Sequence, residues 1–137
     1  MNPLAVETAL KAALAASAFL SPTTIYTGTN FEEMTPEALH LIVSVDSFSS
    51  VGKGLYTATA TIKLTAPALL GATAYTQFTA ALESLKVALT SSYLLANWPV
   101  ADAPNFCGST PCPTTISTAQ DSNSWTADLQ MTLGVMD

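Results

Sequence analysis

Two long segments of this chain alternate strictly between apolar and polar side chains, and they constrain the fold more than any other feature. In residues 55–66 the apolar positions are Tyr56, Ala58, Ala60, Ile62, Leu64 and Ala66. In residues 124–136 they are Trp125, Ala127, Leu129, Met131, Leu133 and Val135. Successive side chains of a β-strand point to opposite faces, so both segments are predicted strands with one buried and one solvated face. Such strands are typical of antiparallel sheets.

A third alternating segment precedes the first of these strands. Leu39, Leu41, Val43 and Val45 are its apolar positions, and His40, Ser44 and Asp46 occupy the other face. The connection 47–54 holds three serines and two glycines, which favour a turn. We therefore predict a long antiparallel hairpin over residues 39–66.

Two helices are predicted to cover this sheet. Asn2 can cap a first helix over residues 3–20, with Pro3 at its first position. A second helix is predicted over 73–93, with one apolar stripe: Tyr75, Phe78, Leu82, Leu85 and Leu89. The Pro-rich segment 94–123 is predicted to hold only short strands, near Val100 and Ile116. With a short strand at 24–27, the chain is predicted to be one α+β domain over residues 1–137: an antiparallel sheet with a long β-hairpin and two α-helices packed on one face.

Charge and composition argue against several functional classes. The net charge is −6, and the four basic residues are all lysines. Sequence-specific nucleic-acid binders carry basic clusters and rely on arginine, so we do not expect that function. Only 10% of the residues are charged, which favours a surface partly covered by neighbouring subunits.

No combination of residues predicts catalysis, a cofactor or a metal site. His40 is the only histidine, and Asp46 on the same strand lies about 20 Å away at strand rise. We therefore interpret His40 as a solvent-facing residue of the strand. Cys107 and Cys112 can form a local disulfide or remain free thiols, and a structural zinc site needs more ligands than His40 adds. Gly52-Lys53-Gly54 lacks the spacing of a phosphate-binding loop.

The apolar N-terminus allows two interpretations. A signal peptide would have a positive segment before the apolar stretch, whereas here Glu7 comes early and Lys11 interrupts the run. The same residues make the segment a poor membrane span. We therefore expect a structural helix of the mature protein.

The order and proportions of these elements, from the helix at 3–20 through the hairpin at 39–66 and the helix at 73–93 to the strand at 124–136, resemble the tail-terminator or tail-completion proteins of tailed bacteriophages. The resemblance implies a homo-oligomeric ring, usually of six subunits, assembled in the host cytoplasm and located in the virion neck. The ring would join the tail tube protein to the head–tail connector or stopper protein and let DNA pass through an acidic channel. It implies no cofactor, catalytic residue or membrane.

The hairpin tip and the Pro-rich loop are the segments we expect to contact neighbouring subunits, because both project from the sheet and neither is needed to fill the core. The candidate interface residues are Phe48, Ser49, Val51, Lys53, Pro99, Pro104, Phe106 and Pro111. Two alternatives stay open: another neck, connector or tail-tube subunit of the same particle, or a secreted adhesion-type module with a cleaved N-terminus and a disulfide.

Overall fold

The computed structural model describes residues 2–17, 24–28, 39–67, 71–100, 103–109, 115–120 and 124–137. Within them the chain forms three helices and six strands. The helices are α1 (Pro3–Ala15), α2 (Gly71–Ala88) and α3 (Ser91–Asn97). The strands are β1 (Thr24–Thr27), β2 (His40–Gly52), β3 (Leu55–Pro67), β4 (Asn105–Ser109), β5 (Thr115–Gln120) and β6 (Ser124–Met136).

All six strands belong to one sheet. Five of them follow the order β1-β2-β3-β6-β4, and β5 pairs with a different part of β6 from the part that pairs with β4. The predicted hairpin is confirmed as the β2–β3 pair, and β6 lies antiparallel to β3 along all 13 residues of each strand. β1 departs from the antiparallel pattern, because it joins the edge of β2 in parallel. The predicted α+β class is confirmed.

The alternating pattern divides the sheet into two faces as predicted. Leu41 lies opposite Leu64, and Leu64 lies opposite Ala127, so the apolar residues of three strands form continuous rows. These rows and the helices share one hydrophobic core. Burying a large aliphatic side chain contributes roughly 1.5–3 kcal/mol, so packing of the helices on this face is a principal source of stability.

The first helix begins as the sequence predicts. Asn2 Oδ1 accepts a hydrogen bond from the Ala5 amide at 2.9 Å, and Pro3 occupies the first turn. Val6, Leu10 and Leu14, at helical spacing, have no solvent exposure. The helix ends at Ala15 rather than residue 20; residues 18–20 lie outside the described residues.

The predicted second helix is two helices. The α2 helix ends at Ala88, and the hydroxyl of Thr90 accepts a hydrogen bond from the Tyr93 amide at 3.4 Å, which caps α3. The predicted stripe is buried at Phe78, Leu85 and Leu89, whereas Tyr75 is 51% exposed. An N-cap hydroxyl stabilises the start of a helix, which here is α3. Leu94 of α3 is also buried, so it extends the apolar stripe beyond Leu89.

Two further expectations were wrong. His40 is buried at 3% exposure rather than solvent-facing. Parallel pairing with β1 places Tyr26 beside it, and the two rings meet edge-on with centroids 6.2 Å apart. Val100 is 97% exposed and lies outside any strand, whereas Ile116 lies in β5 as predicted.

Candidate assembly surface

Four strands end together at the tip of the β2–β3 hairpin. In one row across the sheet, Gly52 pairs with Leu55, Leu55 with Met136, and Met136 with Asn105 of β4. The turn is tight because Gly54 has a positive φ of 71°, a conformation that glycine adopts without steric cost. The Gly54 carbonyl accepts a hydrogen bond from the Asp137 amide at 2.9 Å, which ties the C-terminal end of β6 to the turn.

Large apolar side chains are exposed at this tip. Val51 is 58% exposed, Met136 42% and Leu55 36%. Leu55 and Met136 lie directly opposite each other on the face that is otherwise polar. Scattered exposed apolar residues are ordinary, whereas exposed apolar residues that lie next to each other can form part of an interaction surface.

Sequence reasoning missed Leu55 and Met136. The signal was available, since both are apolar at positions where the alternation of their strands calls for a polar residue. Of the predicted tip residues, Ser49, Val51 and Lys53 are exposed. Phe48 is half-buried, because its ring stacks on Tyr56 with centroids 4.9 Å apart and planes 9° from parallel. Phe48 therefore supports the hairpin as well as bordering the tip.

The Pro-rich loop contributes more to the core than expected. Pro104 is buried, and its carbonyl accepts a hydrogen bond from Trp98 Nε1 at 2.7 Å. Phe106 stacks on Trp98 at 5.1 Å between ring centroids. The expectation that this loop is not needed to fill the core was therefore wrong for these residues, since burial of the Trp98 ring depends on them.

Pro99 lies at a different place from the hairpin tip. It is half-buried and lines a groove of about 470 Å³ with Ala103 and one side of α1. The residues of α1 in this groove are mostly small, including Ala5, Ala9 and Ala12. Pro111 lies outside the described residues. The structure thus brings Phe48, Ser49, Val51 and Lys53 together at the tip, while Pro99 belongs to the α1 groove.

The face of the sheet opposite the helices is polar and rich in threonine. On β3 it carries Thr57, Thr59, Thr61, Lys63 and Thr65. On β6 the facing residues include Asp128, which lies directly opposite Lys63, and Gln130, opposite Thr61. Asp46 lies at a break in the β2–β3 register and accepts a hydrogen bond from the Thr61 hydroxyl. This face can contact a polar partner or water without exposing a large apolar area.

Within the described residues, no group of three or more His, Cys, Asp or Glu side chains is placed to hold a metal ion. Cys107 is an exposed free thiol, and Cys112 lies outside the described part, so the alternatives of a local disulfide and two free thiols both stay open. None of the helices in the described ranges has the length and apolar character needed to cross a membrane.

No protein-family model and no curated protein sequence matches the chain. The function of this chain is therefore inferred from the geometry of its sheet, its hairpin and its exposed surfaces.

Proposed function

We propose that this chain is a structural protein of a tailed-bacteriophage virion, in which copies form a ring that terminates the tail tube and joins it to the head connector. The observation that carries the proposal is the asymmetry of the sheet. Helices and core occupy one face, while the other face is polar and ends in the exposed apolar hairpin tip. A subunit built in this way has a packed side, a hydrophilic side and a projecting contact surface.

The charge of the chain is compatible with passage of DNA through such a ring. Each copy has a net charge of −6, so a ring of six subunits would be strongly acidic. DNA carries a dense negative charge, and an acidic wall disfavours its adhesion. In the proposed ring the polar threonine-rich face is the natural candidate for the channel side, because it offers hydroxyl groups and few cationic side chains.

The test is the oligomeric state of the purified protein. Size-exclusion chromatography with light scattering is expected to give a multimer, and negative-stain electron microscopy is expected to show closed rings. The double variant Ser49→Lys with Val51→Glu should disrupt the ring, since it places charge on the exposed tip, while circular dichroism should remain that of the folded subunit. Ser92→Lys with Leu95→Glu, which places the same two charges on exposed residues of α3 away from the tip, is the matched control.

The outcomes separate the ring from its alternatives. A protein that stays monomeric at high concentration and forms no ring contradicts the proposal. A ring that survives the double variant moves the interface elsewhere, and the small-residue side of α1 that lines the Pro99 groove is the next surface to test. Rings that stack into long tubes would favour the tail-tube alternative over a terminator.

The secreted alternative makes a different prediction about the N-terminus. A cleaved signal would remove α1, whose Val6, Leu10 and Leu14 are fully buried in the core. Intact-mass measurement of the protein from its native source would detect that cleavage. Retention of α1 together with free thiols would contradict an adhesion-type module.

A further inference from the structure

The outer edge of β2 is open along the second half of the strand. β1 pairs only with residues 40–43, and within the described ranges no strand pairs with the outer edge of residues 46–52. Residues 47–52 contain no charge and no proline, the residue types that commonly protect exposed edges. Unpaired backbone groups of this kind can pair with a strand of another chain.

A second open edge lies on the other side of the sheet at the same level. β4 ends the strand order, and among the described strands it pairs only with β6. Its five residues, Asn105–Ser109, also contain no charge and no proline. Ser49 pairs with Thr57, Thr57 with Gly134, and Gly134 with Gly108, so the open parts of β2 and β4 occupy the same rows of the sheet.

The strand directions make the two edges complementary. β2, β3, β6 and β4 are successive antiparallel neighbours, so β2 and β4 run in opposite directions. If a rotation axis parallel to the strands relates two copies, β2 of one copy lies antiparallel to β4 of the next. The contact is heterologous, the kind that can close into a ring.

We infer that β2 residues 47–52 of one copy pair antiparallel with β4 residues 105–109 of a neighbouring copy, so that the sheet continues from subunit to subunit. This inference rests on the proposed ring and specifies its contact. A symmetric β2–β2 pairing is the competing arrangement: it would bring Asp46 near Lys53 of the second copy, but it would leave the β4 edge open and stop at a dimer.

The native thiol of Cys107 allows a direct test. Cys107 is an exposed residue of β4. A Cβ added to Gly134 would lie 3.7 Å from the Cβ of Cys107. Because Gly134 pairs with Thr57 on the polar face, the Cys107 side chain lies on that face. Ser49 is exposed on the same face of β2. If the rows of the two copies align, Ser49 lies next to Cys107 of the neighbouring copy. If the β2–β4 register is shifted by two residues in either direction, Ser47 or Val51 lies next to Cys107 instead.

The experiment uses the full chain with Cys112→Ser, carrying Ser47→Cys, Ser49→Cys or Val51→Cys in turn. Mild oxidation at a protein concentration that gives multimers is followed by non-reducing electrophoresis. At least one position should give a reducible ladder of dimers, trimers and larger species, about tenfold more rapidly than the control Ser92→Cys on α3, because disulfide formation demands close Cβ atoms. Replacing Cys107 by serine should abolish the ladder.

Three results would overturn the inference in distinguishable ways. Multimers by light scattering with no cross-link above the Ser92→Cys control would contradict edge pairing but leave the ring intact. Cross-linked dimers that persist with Cys107→Ser would show β2–β2 pairing instead. A monomeric parent protein would contradict the ring and, with it, the pairing.

Discussion

The side-chain carboxylate of Glu7 accepts a hydrogen bond from the backbone amide of Val45, with 3.0 Å between Oε1 and N. Val45 lies on β2 just beyond the last residue paired with β1, and next to a shift in the β2–β3 register. Glu7 is buried in α1, so the carboxylate satisfies an edge donor that none of the described strands pairs with. A Cβ at Gly28 would lie 3.2 Å from the same carboxylate oxygen, which favours glycine after β1. Glu7 therefore joins the first helix to the sheet where the open edge of β2 begins.

Removing this carboxylate should destabilise the fold. Glu7→Ala is expected to lower the free energy of unfolding by about 1–3 kcal/mol, because it leaves the part-buried Val45 amide without its acceptor. Glu7→Gln keeps an acceptor and should cost less. Urea melts followed by circular dichroism measure both.

The matched control for this prediction is Glu83→Ala on α2. Glu83 pairs with Lys86 at 2.9 Å, but its side chain is 73% exposed, and exposed ion pairs contribute little. A loss for Glu7→Ala no greater than that for Glu83→Ala would show that the Val45 hydrogen bond does not contribute to stability.

The stripe of α2 should be most sensitive at Leu85, which has no solvent exposure. Leu85→Ala is expected to cost about 2–5 kcal/mol through lost burial and the cavity left behind. Val87→Ala, on the same helix at a side chain that is 64% exposed, should change stability by less than about 0.5 kcal/mol. A larger loss for Val87→Ala than for Leu85→Ala in denaturant melts would mean that the opposite face of α2 is the covered one.

Trp98 fixes the start of the Pro-rich loop through its indole N–H. Trp98→Phe retains an aromatic ring against Phe106 but removes the donor to the Pro104 carbonyl, and should cost about 1–3 kcal/mol. Phe106→Tyr retains the ring that stacks on Trp98 and serves as the control. An unchanged unfolding midpoint for Trp98→Phe would mean that ring packing alone holds the loop.

His40 is expected to matter for stability and not for assembly. His40→Ala removes a buried side chain and its edge-on contact with Tyr26, and a loss of about 0.5–3 kcal/mol follows from such changes. Folded protein should still form multimers of the same mass by light scattering. Loss of multimers in a variant that remains folded would give the histidine a role in assembly.

The periodic parts of the fold could be predicted from the sequence, because each repeats a local rule. Alternation in β3 and β6 assigns each side chain to a face, whatever the strands pair with. Asn2 and Pro3 start α1 through backbone groups three residues away. Within the candidate assembly surface, the position of the hairpin tip could also be predicted from a local rule, because the serines and glycines of residues 47–54 favour a turn.

Other features depended on contacts between segments distant in the sequence. Helical periodicity predicted that the second helix continues past Thr90. In the structure α2 ends at Ala88, and the Thr90 hydroxyl caps a separate helix, α3. His40 was assigned to the solvated face correctly by parity, yet it is buried because β1 brings Tyr26 beside it. Phe106 and Pro104 became parts of the core only through Trp98.

The sequence by itself determined which residues of β3 and β6 face the core, where the long strands lie and that the chain is acidic and poor in charge. Only the tertiary structure decided that β1 joins in parallel, that Glu7 bonds to Val45, and that β2 and β4 leave edges open at the same level. The physical reason is that side-chain periodicity follows from local backbone geometry. Strand order, register and edge exposure instead depend on which backbone donors and acceptors meet across the folded chain.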